Sequence, residues 1–539
     1  MSHRPVSSVK GLLFCSAAIV VAVLMSLSLS PGNSAGGVLP SAAAARGTAN
    51  VSLAGLYQLL GSATSMGSAS KNTPEASPVT APAAVPPAAQ LSNPNCKAPY
   101  GWLKTQGPWI VEASNPSCKV RLAGVTWYGM QSTTFTFAGL DFRPYTAILQ
   151  EIADLGFNSI RIPITDQDVK YNSRIKIAPK WMKAQNPKII PLHLHPLALL
   201  KKVITAAGAL HLMVILDNHF SANRPASNVA NDVGVRKSVV RKNTDTTWVA
   251  DGYSEKDWIN DWLKITKIYK NTPTVIGYDL RNEPHTEFSG TPWSLMDYLR
   301  RGATWGPCTP AHCGLKDSKL WEPSSNWPAA AEKAGDAIQK INPHLLLFVE
   351  GTQLYPDLKN KRGAENYWWG SILKGVAVDP VKFTLPNQLV YSPHEWGPWK
   401  CCGGSVGQFS SKTTYASYVK VLTANWAYIL TDPKVQAPIW IGEFDTCNSA
   451  QPHTRWTYAI KTANQCVYGR QPGSEGQWFQ LFIKFLKLHP EIGWAYYPIN
   501  GTNVLNEASS NSILSNKWTK PRLPSLMKAL RSIEAQPTN

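Results

Sequence analysis

From about Cys96 the chain alternates short apolar runs with longer stretches whose apolar residues recur every three or four positions. The runs are VRLAGVTWYG from Val120, FNSIRIPI from Phe157, LMVILDNH from Leu212, TVIGYDLRNEP from Thr274, LLLFVEGT from Leu345, QLVYSPHEW from Gln388, APIWIGEFD from Ala437 and IGWAYYPIN from Ile492. Each is the length of a buried strand. The stretches between them, such as YTAILQEIADLG, EKDWINDWLKITKIYK, AAEKAGDAIQKI and WFQLFIKFLKLHP, have helical periodicity. Eight strands with helices between them predict an α/β fold, a (β/α)8 barrel. Residues 96–539 are many for that fold, so its loops must be long. GWLKTQGPWIVEAS, from Gly101, reads as a hairpin closing the bottom of the barrel.

The region before Cys96 has no such pattern. His3, Arg4 and Lys10 flank or precede the apolar GLLFCSAAIVVAVLMSLSLS, so residues 1–35 read as a secretory signal peptide, or as a signal anchor because the apolar stretch is long. Either way the rest of the chain is expected outside the cytoplasm, secreted or held through residues 11–30. Residues 36–95 are rich in Ala, Ser, Gly and Pro and read as an extended linker, with SLAGLYQLL as one short helix. The folded domain is then 96–539.

The chain has nine cysteines, and one of them, Cys15, lies in the apolar leader. An even remainder in an exported chain suggests disulfides. Cys96 with Cys118, Cys447 with Cys466, and Cys308 with Cys313 are plausible pairs. Adjacent Cys401 and Cys402 would pair elsewhere. No CxxC meets a second CxxC or an HxxxH, so no zinc site and no other metal or cofactor is expected. The net charge of +19 falls mostly after Gln90, without a dense basic run or an RNA-binding aromatic motif. Nucleic acid is therefore not an expected partner, and the charge serves solubility or weak attraction to anionic surfaces. A monomer is expected.

In a (β/α)8 barrel, function sits where the strands end. Here the second strand carries Arg161, the third ends Asp217-Asn218-His219 and the fourth ends Asn282-Glu283. The sixth ends His394-Glu395-Trp396, the seventh Glu443 and the eighth Tyr497. Any one of these suits an ordinary strand terminus; six converging on one mouth do not. Glu283 and Glu443 would face each other across it. Paired carboxylates in a cleft suit glycoside hydrolysis, one protonated to release the leaving oxygen and one ionised to attack. Arg161 can keep one of them anionic, and the Asn282 amide can meet a sugar hydroxyl.

These residues carry a resemblance. From about Trp102 to Leu530 the chain resembles glycoside hydrolase family 5, and within it the bacterial and fungal endoglucanases. GFNSIRIP, VILDNH, TPTVIGYDLRNEPH, NPHLLLFVEG, LVYSPHEWGP and IGEF occur in the family's order, with Thr272 where Asn is usual, and ATWG at Ala303–Gly306 is a further match. The resemblance implies Glu283 as acid/base, Glu443 as nucleophile, and retention through a glycosyl-enzyme with carboxyl groups about 5–5.5 Å apart. It places Arg161 and His219 at the nucleophile or the cleaving subsite, Asn282 at the sugar 2-hydroxyl and His394 beside the acid/base. Two positions depart from it. Trp396 stands where a Tyr usually bonds the nucleophile, and Tyr497 where a Trp usually forms a sugar platform.

The expected substrate is a β-1,4-glucan cut internally. The alternatives are another β-glycan, such as mannan or xyloglucan, or a weakened carbohydrate-binding protein on the same scaffold, which the presence of both glutamates opposes. Trp248, Trp368 and Trp369 are candidates for sugar stacking or for the core, with Trp248 taken as substrate-binding. His193 and His195 in PLHLHP read as a surface loop more than a metal site, and His285 as a local packing or hydrogen-bonding residue. GLKDSK fails the glycine spacing of a phosphate loop.

Overall fold

The computed structural model describes residues 96, 98–174, 194–222, 247–250, 252–285, 302–307, 321–356, 364–400, 409–450, 460–503 and 509–534. The leader, the linker, His193, Cys308, Cys313, Cys401 and Cys402 lie outside them. Among the described residues no helix is long and apolar enough to cross a membrane.

Strands β1 (Leu103–Gln106) and β2 (Trp109–Glu112) form the antiparallel hairpin. The parallel strands follow: β3 (Ala123–Thr126), β4 (Ser159–Thr165), β5 (Met213–Phe220), β6 (Val275–Asp279) and β7 (Leu346–Val349). A second small hairpin, β8 (Leu354–Pro356) with β9 (Ala364–Asn366), leaves the top of β7. The sixth predicted strand is split into β10 (Leu389–Tyr391) and β11 (His394–Glu395) around Pro393, which has no N–H for a ladder. Then come β12 (Trp440–Phe444) and β13 (Gly493–Tyr496). The sheet order is β10-β7-β6-β5-β4-β3-β13-β12-β11, all parallel. Because β10 and β11 are two halves of one strand, and Tyr391 also bridges Ile439, the ring closes as an eight-stranded (β/α)8 barrel.

Alternation along each strand separates two cores. Ile160, Val214, Tyr278, Leu347 and Ile441 face outward to the helices. Met213, Ile215, Ile276, Leu346, Phe348, Val390 and Trp440 fill the barrel with Leu103 and Ile110 of the hairpin, which closes the bottom as expected. The helices form where the pattern places them. The one at Glu255–Tyr269 is N-capped by Ser254 in a capping box with Asp257, and buries Trp258, Trp262, Ile265 and Tyr269. Disulfides Cys96–Cys118 and Cys447–Cys466 are both present.

Trp248 corrects an expectation. It is fully buried, packed 5.2 Å from Trp327 and 6.4 Å from Trp258 between ring centroids, with its indole N–H on Glu255. It offers no face to a sugar. A large apolar ring next to two others gains more from leaving water than from lining a cleft.

Candidate active site

The inward columns change character on the way up the barrel. Two residues beyond Ile215, Phe348 and Val390 on their strands come Asp217, Glu350 and Ser392, with His394 two further on. Asp279 and Glu443 also point inward. Arg161, fully buried on β4, gathers this layer. Its Nη1 donates to Glu443 Oε1 and its Nε to Asp279 Oδ2 at 3.1 Å. Its Nη2 donates to Asn282 Oδ1 at 2.8 Å and to Glu350 Oε1 at 3.3 Å, and lies 3.2 Å from Asp217 Oδ2. A fully buried cation is costly without opposite charge beside it, which accounts for carboxylates gathering around Arg161 beneath one mouth.

β6 ends at Asp279, four residues before Glu283, which lies in the loop beyond it. That loop stays tied to its neighbours: Leu280 N–H donates to Phe348 O at 3.1 Å and Asn282 N–H to Asn218 O at 3.0 Å. The indoles of Trp258 and Trp262 both donate to Leu280 O, at 3.1 and 3.2 Å. At Glu283 the backbone turns left-handed, with φ +46°. This is rare for a residue with a side chain, costs about 1–3 kcal/mol, and persists only where the surroundings enforce it.

His394 stands between the carboxylates. Its Nδ1 is 3.0 Å from Glu283 Oε1 and its Nε2 is 3.2 Å from Glu350 Oε1. One oxygen each of Glu283 and Glu443, with one His394 nitrogen, lie within 4.8 Å of one another. His219 Nδ1 is 2.6 Å from Asp217 Oδ2, which fixes its ring at the mouth. Burial opposes charge on His394, yet Glu350, Glu443 and Glu283 around it hold its pKa well above the ordinary histidine value. Burial pushes Glu283 up, but the hydrogen bond and charge of His394, with His285 and His219, bring it below the usual carboxylate range. Burial pushes Glu443 up against the pull of Arg161 and His394. Arg161 is a permanent cation and His394 is not, so the Glu443 anion has a fixed partner while the proton affinity of Glu283 follows the state of His394.

The departing aromatics meet each other. Trp396 is nearly buried among Tyr367, Trp368 and Ile372, edge-on to Tyr497 at 6.1 Å and to His394 at 6.4 Å. Lys400 Nζ sits 3.8 Å above the Trp396 ring and 2.6 Å from Asp445. Tyr497, half-buried, stacks on Tyr128 at 5.8 Å; burial, then Glu443, raises its phenol pKa well above the ordinary value. Trp369 stacks flat on His285 at 3.9 Å, and His285 Nδ1 is 2.5 Å from Glu283 O, the local bonding expected of it.

The sequence reading overlooked Glu350 and Asp279 as members of the site and did not find Lys400. Glu350 was detectable, since it continues with period two the inward column of Leu346 and Phe348; Asp279 was not, because β6 shifts register and its inward residues Ile276 and Asp279 stand three apart. Lys400 lies past a strand end, where no periodicity speaks.

A closed eight-stranded barrel with two acidic side chains facing each other at its mouth defines the class of paired-carboxylate (β/α)8 enzymes. The cellulase family, glycosyl hydrolase family 5, matches residues 118–501. The chain belongs to this family and is a glycoside hydrolase of cellulase type. It is 30% identical over 362 residues to an endoglucanase of Paenibacillus polymyxa, covering 67% of this chain and 76% of that one. To endoglucanase B of Acetivibrio thermocellus it is 27% identical, over 64% of this chain and 58% of that protein, so it spans under two thirds of that relative's length. The endocellulase of Pyrococcus horikoshii, solved with cellotetraose, has a similar structure: TM-score 0.60 and 26% identity, covering 81% of this chain and all of that one.

Proposed function

We propose that the protein is an exported, retaining endo-β-1,4-glucanase. The observation that carries this reading is the short separation between Glu283 and Glu443, whose nearest oxygens lie within 4.8 Å. Retaining glycosidases hold their carboxyl groups about 5–5.5 Å apart, whereas inverting ones leave about 6.5–9.5 Å for a water. Glu443, held by Arg161, attacks the anomeric carbon as the glycosidic C–O bond breaks and Glu283 gives its proton to the leaving oxygen. Glu283, now a carboxylate, then takes a proton from water, whose oxygen displaces Glu443 from the same carbon. Asn282, oriented by Arg161, presents its amide to the sugar 2-hydroxyl, and His219 and Tyr497 line the cleaving subsite. The named endoglucanase relatives support a glucan substrate. One of them, 26% identical over 406 residues, is the major extracellular endoglucanase of Xanthomonas campestris, which accords with export through residues 1–35.

The test is product stereochemistry followed by NMR on cellotetraose, with reducing-sugar release from carboxymethylcellulose, β-mannan and xyloglucan. Release of β-configured product and preference for the glucan are expected. Glu443→Ala should abolish turnover, and azide should restore it with an inverted glycosyl azide. Near-parental activity of Glu443→Ala would overturn the assignment.

A further inference from the structure

Glu350 follows β7 and is fully buried. Its Oε2 accepts a hydrogen bond from the backbone N–H of Glu283 at 2.6 Å. Its Oε1 accepts from Arg161 at 3.3 Å and lies 3.2 Å from His394 Nε2. His394 in turn places Nδ1 3.0 Å from the Glu283 carboxyl. Glu350 therefore reaches Glu283 twice, at the backbone directly and at the side chain through one imidazole. The backbone it reaches is the left-handed turn at φ +46°, a conformation that a side-chain-bearing residue keeps only when its surroundings enforce it. A third feature points the same way. Gly370 has φ +75°, and a Cβ there would come within 2.4 Å of Glu350 Oε2. The loop after β9 thus carries no side chain where the carboxylate must sit.

We propose that Glu350 is the positioning residue of the acid/base: it holds the Glu283 turn through Oε2 and aims the Glu283 carboxyl through His394. The inference rests on Glu283 being the acid/base. Support of Arg161 does not account for Glu350, because Arg161 keeps Asp217, Asp279, Asn282 and Glu443 without it. The effect of losing Glu350 should then fall on proton donation more than on nucleophilic attack.

The experiment measures kcat/KM of the full chain on cellotetraose, whose leaving group needs a proton, and on dinitrophenyl cellobioside, whose leaving group does not. Parent, Glu283→Ala, Glu350→Gln and Gly370→Ala are compared, with circular dichroism to confirm folding. Glutamine keeps the shape but has one acceptor oxygen in place of two, so it cannot serve both the Glu283 N–H and the Arg161–His394 side. Gly370→Ala presses on Oε2 with Glu350 intact, and it serves as the second arm should the glutamine variant not fold. General acid catalysis contributes about 10²–10⁴-fold. Glu350→Gln and Gly370→Ala should therefore lose at least about tenfold more on cellotetraose than on the aryl substrate, and shift the basic limb of the pH profile. Equal losses on both substrates in the folded variants, with Glu283→Ala showing the selective loss, would overturn the role of Glu350 and leave the acid/base assignment standing. Absence of selective loss in Glu283→Ala itself would overturn that assignment, and this inference with it.

Discussion

Nδ1 of His394 lies 3.0 Å from Oε1 of Glu283, and this contact decides which way the proton affinity of the acid moves. Burial alone pushes the Glu283 carboxyl up; the hydrogen bond and charge of His394 hold it below the usual carboxylate range. A general acid works only while protonated, so its pKa sets the basic limb of kcat/KM. Replacing His394 with asparagine removes the charge and leaves burial to act, which raises the Glu283 pKa. The basic limb on cellotetraose should move to higher pH even as the maximal rate falls. An unmoved limb, or one displaced to lower pH, would show that His394 does not control this proton.

The two disulfides supply a separate test. They close loops of 22 and 19 residues in sequence separation, for which the chain-entropy account gives about 3 kcal/mol each. With four of the nine cysteines bridged, the denatured, unreduced chain should show at most five reactive thiols. Thiol titration finding more than five would contradict at least one of the bridges, and more than seven would contradict both. Thermal unfolding with and without reductant should show a clear fall in the transition temperature.

The two tryptophans taken as substrate-binding separate by burial. Trp248 is wholly inside, packed with its ring tilted against Trp258 and Trp327. Its replacement by alanine should cost about 3–5 kcal/mol of stability while leaving KM of the folded enzyme unchanged. Trp396 touches both His394 and Tyr497 and carries Lys400 on its face. Trp396→Ala should lower kcat/KM on an aryl cellobioside at least roughly tenfold, about 1.4 kcal/mol of barrier, whereas Trp396→Tyr stays active. A parental rate for Trp396→Ala would put that residue outside the site.

What the sequence disclosed, and what it did not, follows from physical scale. Barrel strands such as SIRIPIT and MVILDNHF are apolar on both faces, and their polar termini stand out against that background. Arg161, Asn282, Glu283, His394 and Glu443 were legible for this reason, and the structure brings all five within one connected layer. Glu350 and Asp279 sit in equivalent inward positions, but their roles depend on partners from other strands: Arg161, His394 and the Glu283 backbone. No single segment encodes that meeting. Trp248 shows the opposite failure. An aromatic in a loop-like stretch has the same local signature whether it lines a cleft or plugs a core, and only packing against Trp258 and Trp327 decides. The break at Pro393 was readable in principle, since a proline inside a strand pattern removes a ladder donor.

Glu395, next to His394, turns away from the mouth into the core and gives the last prediction. Its Oε1 accepts from the Trp426 indole at 2.7 Å and its Oε2 from the Tyr367 hydroxyl at 3.1 Å. Burial pushes its pKa up to about 8, against the pull of those two bonds and of His394. The unfolded chain ionises this group near 4.5, the ordinary glutamate value, and the folded protein only near 8. Between those values the folded state binds more protons than the unfolded one, so this group makes stability fall as pH rises across that window. Glutamine has the shape of the neutral acid, can accept from Trp426 and can donate to the Tyr367 oxygen. Glu395→Gln should therefore match the parent near pH 4 and become progressively more stable than it toward pH 8. Denaturant unfolding of both proteins at pH 4.5, 6 and 8 checks this. A stability difference that stays constant with pH would show that Glu395 is ionised in the folded protein throughout the range.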